Sequence, residues 1–177
     1  MPWLRVSGGE LRGRRLRSGR AGVRPTTERV REALFSILGD VGGLRVLDLF
    51  CGTGALAIEA LSRGAAHATL VDRDVAAARR NLEQLELTDR AEAVRSDVIR
   101  FLRRPGLDPF ELVLCDPPYR LADRFGAEVG PLIPAALAEG GRVVVESAPG
   151  GALELGLPLL DERRYGDTLV RLYGSGR

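Results

Sequence analysis

Residues 44–61 read LRVLDLFCGTGALAIEAL. A short apolar run stops at Cys51-Gly52-Thr53-Gly54, and helix-forming residues begin at Ala55. A strand, a glycine turn and a helix in this order form the opening unit of an open α/β sheet. The unit then recurs along the chain. ATLVD (68–72) reads as a second strand, with a helix over 75–85. AEAVRSD (91–97) reads as a third, with a short helix over 98–103. LVLCD (112–116) is a fourth, closed by Pro117-Pro118, and GRVVVES (141–147) a fifth, after helical segments between 122 and 138. Short apolar strands alternating with helices predict a parallel sheet covered on both faces. The end of the chain departs from this pattern. Residues 159–165 and 168–173 are extended runs joined through Gly166-Asp167, with no helix between them, so an antiparallel hairpin is expected.

Upstream of Leu44, an N-terminal extension over 1–43 is expected to precede a main domain over 44–177. Two extended pieces, 4–7 and 11–16, flank Gly8-Gly9 and suggest a small β-hairpin turning at the glycines. A helix should start at Pro25-Thr26-Thr27, because Val30, Ala33, Leu34, Ile37 and Leu38 recur at helical spacing before Gly39. Charge is uneven. Residues 1–31 hold nine Arg against Glu10 and Glu28, a net +7, and the remainder holds seventeen Arg against twenty-two acids, a net −5. A basic arm on an acidic body is the footprint of a nucleic-acid binder. All 26 basic residues are Arg, which fits either codon bias or heat adaptation. No apolar h-region opens the chain and no apolar run is long enough to span a bilayer, so a cytoplasmic protein without membrane contact is expected. Cys51 and Cys115 have no metal-ligand spacing and read as small buried hydrophobes; no metal is expected. His67, the sole histidine, lies far from every motif.

The glycine loop lets backbone approach a ligand, and the helix start beyond it presents free N–H groups. Gly52-Thr53-Gly54-Ala55-Leu56-Ala57 satisfies the dinucleotide pattern, so the loop alone leaves both NAD and S-adenosyl-L-methionine (SAM) open. Asp72, eighteen residues past Gly54, is placed to accept from two ribose hydroxyls in either cofactor. Asp48 separates them, because a carboxylate four residues before the first glycine suits an amino-acid ammonium, which SAM carries and NAD lacks. Asp97 is a candidate acceptor for the adenine amine and Val98 N–H a donor to the ring, though Asp97 is equally suited to capping the helix that follows. Phe50 and Arg73, inside the same strand-end loops, complete the expected cofactor set. A parallel sheet finished by an antiparallel hairpin is the topology of Rossmann-like SAM-dependent methyltransferases. The predicted class is therefore α/β of that type: a mostly parallel seven-stranded sheet, the C-terminal hairpin, and the N-terminal hairpin and helix.

Asp116-Pro117-Pro118-Tyr119 is the sharpest motif. An exocyclic base amine is a poor nucleophile, because its lone pair is delocalised into the ring. A carboxylate on one N–H and a backbone carbonyl on the other favour a tetrahedral nitrogen whose lone pair faces the sulfonium methyl. Asp116 supplies the carboxylate and Pro117 the carbonyl, two prolines stiffen the loop, and Tyr119 stacks on the base. Asp116 also stands ready to take the proton that the alkylated amine sheds.

These segments resemble the bacterial 16S rRNA guanine-N2 methyltransferases of the RsmD type. The likeness covers nearly the whole chain: RVSGGELRGRRL (5–16), Arg24-Pro25-Thr26-Thr27 leading into RVREALF (29–35), DLFCGTGAL (48–56) continuing to Glu59-Ala60, and Asp116 to Tyr119. The resemblance implies a SAM-binding enzyme modifying one guanine of 16S rRNA within a partly assembled small ribosomal subunit. It implies Gly52, Gly54, Asp72 and Asp97 as cofactor residues and Asp116 to Tyr119 as holders of the base. Tyr and Phe both occur at the fourth position of the motif in such enzymes, so Tyr119 does not choose the base. Arg5, Arg12, Arg14, Arg15, Arg17 and Arg24 are expected to hold RNA phosphates, and a monomer is expected. The competing readings are an adenine-N6 methyltransferase on DNA or RNA, a protein-glutamine methyltransferase, a small NAD-binding oxidoreductase, and an RNA-binding module that transfers nothing.

Overall fold

The structure, a computed structural model, describes residues 3–18, 27–118, 126–148 and 155–174. Its centre is a seven-stranded sheet made of β3 (Arg45–Leu49), β4 (His67–Asp72), β5 (Ala91–Arg95), β6 (Phe110–Cys115), β7 (Leu137–Ser147), β8 (Leu159–Tyr165) and β9 (Thr168–Gly174). The spatial order is β5-β4-β3-β6-β7-β9-β8. The first five strands run parallel, and β9 pairs antiparallel with both β7 and β8. The order reverses on either side of β3, which opens a crevice at the carboxyl ends of β3 and β6, where open α/β sheets bind ligands.

Helices α1 (Glu28–Leu38), α2 (Ala55–Ser62), α3 (Ala76–Gln84), α4 (Val98–Leu102) and α5 (Ile133–Ala136) flank the sheet. Alternation along each strand sends side chains to two cores. Val46, Leu70, Leu112 and Leu114 face α1–α3, while Leu47, Leu49, Val71 and Val113 face α4 and α5. The helix over 28–38 starts where its cap requires: the Thr27 hydroxyl accepts from Val30 N–H, and Gly39 ends it with φ 68°.

Two expectations need correction. β1 (Trp3–Arg5) and β2 (Arg15–Arg17) do form a hairpin, in register Trp3↔Arg17, Leu4↔Leu16, Arg5↔Arg15, but it does not turn at Gly8-Gly9. Residues 6–14 make one broad loop, because Ser7, Gly8, Glu10 and Leu11 are bonded to α2 and not to one another. β7 begins at Leu137, inside the stretch read as helix. Its pairing with β6 slips between Phe110↔Leu137 and Leu112↔Arg142, and Gly140 (φ 71°) and Gly141 lie in the bulge. A Cβ on Gly141 would sit 2.8 Å from the Ala138 carbonyl oxygen, so the bulge closes tightly only around glycine.

Candidate functional site

The sheet order sets four acids side by side along one edge. Asp97 follows β5, Asp72 ends β4, Asp48 lies near the end of β3, and Asp116 follows β6. The loop after β3 is held between its neighbours. Cys51 N–H donates to the Val71 carbonyl (3.2 Å), Gly54 N–H to that of Cys51 (2.7 Å), and Gly52 N–H to Asp72 Oδ2 (3.0 Å). Phe50 is half-buried with φ 61°, a conformation that non-glycine residues seldom adopt and that marks functional turns. The two glycines do different work. Gly54 (φ 78°) is needed for packing, since a Cβ there would meet Leu70 Cδ2 at 2.7 Å. Gly52 (φ 52°) faces open space, with nothing within 4 Å of where a Cβ would stand. That opening is a cradle in which backbone can approach a ligand.

Asp48 is 1 % exposed, and its Oδ2 accepts from Ala57 N–H in the first turn of α2 (3.1 Å). Burial first, then the charges of Asp116 and Asp72, push its carboxyl up to about 8, against the Ala57 hydrogen bond, which pulls it down. Asp48, whose carboxyl Asp72 and Asp116 help to keep protonated, stands with those two acids at an open cradle, and a ligand that brings positive charge and hydroxyl donors suits all three. The ammonium, sulfonium and ribose of SAM meet both needs. The pyrophosphate of NAD does not, because the helix-start amide of Ala57 is taken by Asp48 and the neighbouring carboxylates would repel it. The donor set therefore fits SAM.

Asp97 caps α4, accepting from Ile99 and Arg100 N–H (3.0 and 3.3 Å). Arg73 turns toward Asp97 as an exposed ion pair, and with these bonds holds its carboxyl below the ordinary range. Both oxygens of Asp97 are thus engaged within the protein. Val98, buried, is the first residue of α4, beside the ends of β4 and β5. Asp72 is bonded to Gly52 N–H and, through Oδ1, to Asp74 N–H (3.1 Å), which fixes its carboxylate at the loop.

Asp116 is half-buried, Pro117 buried and Pro118 exposed, one strand across from Asp48. Tyr119 and Arg24 lie outside the described residues. Cys51 and Cys115 are free and buried, and burial pushes both thiols up, which leaves them poor nucleophiles. His67 is the first residue of β4, at the opposite end of that strand from Asp72. Among the described residues no cluster of His, Cys, Asp or Glu has the makings of a metal site, and no helix is long and apolar enough to cross a membrane.

Three residues escaped the sequence reading. Asn81, fully buried on α3, accepts from Arg17 N–H (2.9 Å) and donates to the carbonyls of Arg17 (3.2 Å) and Thr53 (2.9 Å). It joins the hairpin to the glycine loop. Glu59, fully buried on α2, accepts from Ser7 N–H, Ser7 Oγ, Gly8 N–H and Arg63 Nε at 2.7–2.9 Å, with Arg31 beside it at 3.9 Å. Trp3 is 52 % exposed on the outer face of the hairpin, where the Arg15 guanidinium stands 5.9 Å from its ring centre. Only an exposed aromatic amid arginines was available from sequence as a signal; the other two look like ordinary polar positions on helices. The hairpin thus presents Trp3, Arg5, Arg15 and Arg17 outward and Leu4 and Leu16 inward, while Arg12 and Arg14 are exposed in its loop.

Comparison with known proteins identifies the family and the fold. The family described as "Conserved hypothetical protein 95" matches residues 4–174. Ribosomal RNA small subunit methyltransferase D of Escherichia coli (strain K12) is 43 % identical over 121 residues, which take in 66 % of this chain and 61 % of that relative. The solved structure of yhhF from Escherichia coli is 37 % identical, with a TM-score of 0.85 over 98 % of each chain. The structure of SMU.776, a protein complexed with SAH, is 19 % identical, with a TM-score of 0.69 over 83 % of this chain and 48 % of that one, and shares the fold. The chain belongs to the Conserved hypothetical protein 95 family, of the RsmD type that its motifs resemble.

Proposed function

We propose that this chain is a SAM-dependent methyltransferase that acts on the exocyclic N2 of a guanine in 16S ribosomal RNA, within a partly assembled small subunit. The observation that carries the reading is the placement of Asp116-Pro117 one strand from Asp48, beside the open cradle at Gly52. The relatives named for small-subunit rRNA supply the substrate class.

The protein's own groups account for the chemistry. Asp48 and Asp72 would hold the ammonium and ribose of SAM, with Gly52 leaving room for backbone contact. Val98 N–H would face the adenine, and Asp97 and Arg73 would brace that end of the site through their ion pair. SAM, when bound, supplies an electrophilic methyl on a sulfonium. Asp116 and the Pro117 carbonyl would each accept one N–H of the guanine amine and aim its lone pair. Asp116 would also take the proton released on alkylation. Most of the acceleration would come from orientation and fixed dipoles. Tyr119 would stack on a base already exposed in a loop, which lowers the cost of extruding it. The outward arginines Arg5, Arg12, Arg14, Arg15 and Arg17, with Arg24, would hold phosphates. Trp3, on the same face as Arg5, Arg15 and Arg17, offers a stacking surface to an unpaired base. We assign residues 1–43 to this RNA-facing extension and 44–177 to the catalytic domain, in a cytoplasmic monomer.

The test is transfer of labelled methyl from SAM to small subunits that lack the modification, with naked rRNA and DNA alongside. Label should appear in guanine of the subunit RNA. Asp116→Ala should lower kcat by about 10²–10⁴, the range for losing a positioned acid–base group, with SAM affinity within about threefold of wild type. Label in adenine or in DNA would overturn the substrate assignment.

A further inference from the structure

The residues 95–104, RSDVIRFLRR, hold four arginines against the single acid Asp97, inside a body that is otherwise acidic. The fold gathers them. Arg95, Arg100, Arg103 and Arg104, together with Asp97 and Pro105, line a groove of about 830 Å³ beside α4. All four arginines are exposed. Arg95 is steadied by a bond from its Nε to the Arg73 carbonyl (3.2 Å), and the Arg104 guanidinium lies 4.8 Å from the ring centre of buried Phe101. Among the described residues no acid pairs with Arg100, Arg103 or Arg104, whereas other surface arginines such as Arg73, Arg90, Arg163 and Arg171 have carboxylate partners. Exposed arginines gathered without carboxylate partners raise the local positive potential, which draws anions to the groove.

We propose that this groove is a second RNA-binding surface, which takes the phosphate backbone of the substrate. The inference rests on the proposed RNA substrate and adds where that RNA runs. The hairpin arginines lie over α2 and α3, on one face of the sheet, while α4 packs against the other face. The row of acids at the strand ends lies between the two, and Asp97, the last acid of that row, is one of the residues lining the groove. RNA bound to both basic surfaces therefore straddles the catalytic edge. Its backbone is held on both faces of the sheet, and the acids along the edge between them repel phosphates from the cofactor cradle. Arginine suits this role because its planar fork pairs with phosphate oxygens bidentately.

The test is the triple variant R100Q/R103Q/R104Q, compared with wild type in three measurements. These are affinity for a naked small-subunit rRNA fragment over a series of KCl concentrations, methyl-transfer kinetics on small subunits, and SAM affinity by calorimetry. Loss of three phosphate contacts should reduce the slope of log K against log [KCl] by about 2–3, at roughly 0.7–0.9 per contact. KM for subunits should rise by about 10–100-fold, with kcat at saturation and SAM affinity unchanged. An unchanged slope on naked RNA overturns the proposal, and if KM on subunits nevertheless rises, the groove meets an acidic protein of the particle instead. The naked-RNA slope is independent of turnover. A wild-type protein that binds RNA but methylates none would therefore defeat the enzymatic reading while the slope still decides the groove.

Discussion

Asp48 shows how one residue is set against folding in favour of binding. A carboxyl held up to about 8 by burial is protonated in the folded protein at neutral pH and ionised in the unfolded chain. Below about pH 4 both states are protonated. Between about 4 and 8 only the unfolded chain loses its proton, so stability falls as pH rises through that window and levels off above it. Asp48→Asn removes this slope and keeps an acceptor for Ala57 N–H. The variant should match wild type near pH 4 and exceed it at pH 8 by several kcal/mol, at about 1.4 kcal/mol for each pH unit of that window, as read by urea unfolding. Binding should show the converse. The SAM ammonium would draw the carboxylate into its ionised form, so complex formation at pH 7 should release close to one proton, seen by calorimetry in buffers of different ionisation enthalpy. The Asn variant should bind more weakly and release none, and equal proton release from both proteins would remove Asp48 from the ammonium site.

At the scale of elements, the N-terminal hairpin is fastened to the sheet domain mainly through α2 and α3. Glu59 gathers two amide N–H groups, a hydroxyl and the Arg63 guanidinium in a site closed to water. Ser62 adds three more bonds: its Oγ accepts from Leu11 N–H (2.9 Å) and donates to the Gly8 carbonyl (2.6 Å), and its carbonyl accepts from Glu10 N–H (2.8 Å). Glu59→Ala removes the strongest of the acidic charges acting on buried Arg31, and breaking a buried pair costs about 3–5 kcal/mol. A fall in melting temperature of about 10 °C or more is expected, with protease sensitivity appearing first in residues 3–18. A fall of 2 °C or less would mean that the hairpin is held by its apolar face alone. The same network explains what sequence could and could not disclose. The parallel strands and the terminal hairpin were legible because apolar runs and turn residues are local signals. Gly8-Gly9 was misread as a turn because its reason lies more than fifty residues away: a Cβ on Gly9 would stand 1.8 Å from the Ser62 carbonyl oxygen. The start of β7 was misread because Ala135, Ala136, Leu137 and Ala138 favour helix locally, and pairing with β6 overrides that preference. The candidate acids stood out in the sequence because each lies at or just past the end of an extended run. Asn81 and Glu59 did not, because their partners arrive only through tertiary packing.

Across the whole molecule, charge is separated by function. A +7 segment over residues 1–31 precedes a −5 remainder, and the strand-end acids of that remainder are the proposed cofactor residues. In the proposed function, long-range attraction for RNA and local attraction for a cationic cofactor would thus come from groups of opposite sign. The two are joined mechanically at Asn81, whose side chain bonds both to Arg17 and to Thr53 of the glycine loop. They should still be separable energetically, because the exposed arginine heads of the hairpin point away from that loop while their backbone stays fixed. Changing Arg5, Arg12, Arg14, Arg15 and Arg17 to Gln removes five charges and leaves Asn81's backbone partners in place. RNA KM should rise by at least about tenfold and its salt dependence should flatten, since counterion release scales with the phosphates neutralised. SAM affinity, measured without RNA, should stay within about twofold. If SAM affinity falls in step with RNA affinity, the hairpin is part of the cofactor site, and the division of labour between basic arm and acidic edge does not hold.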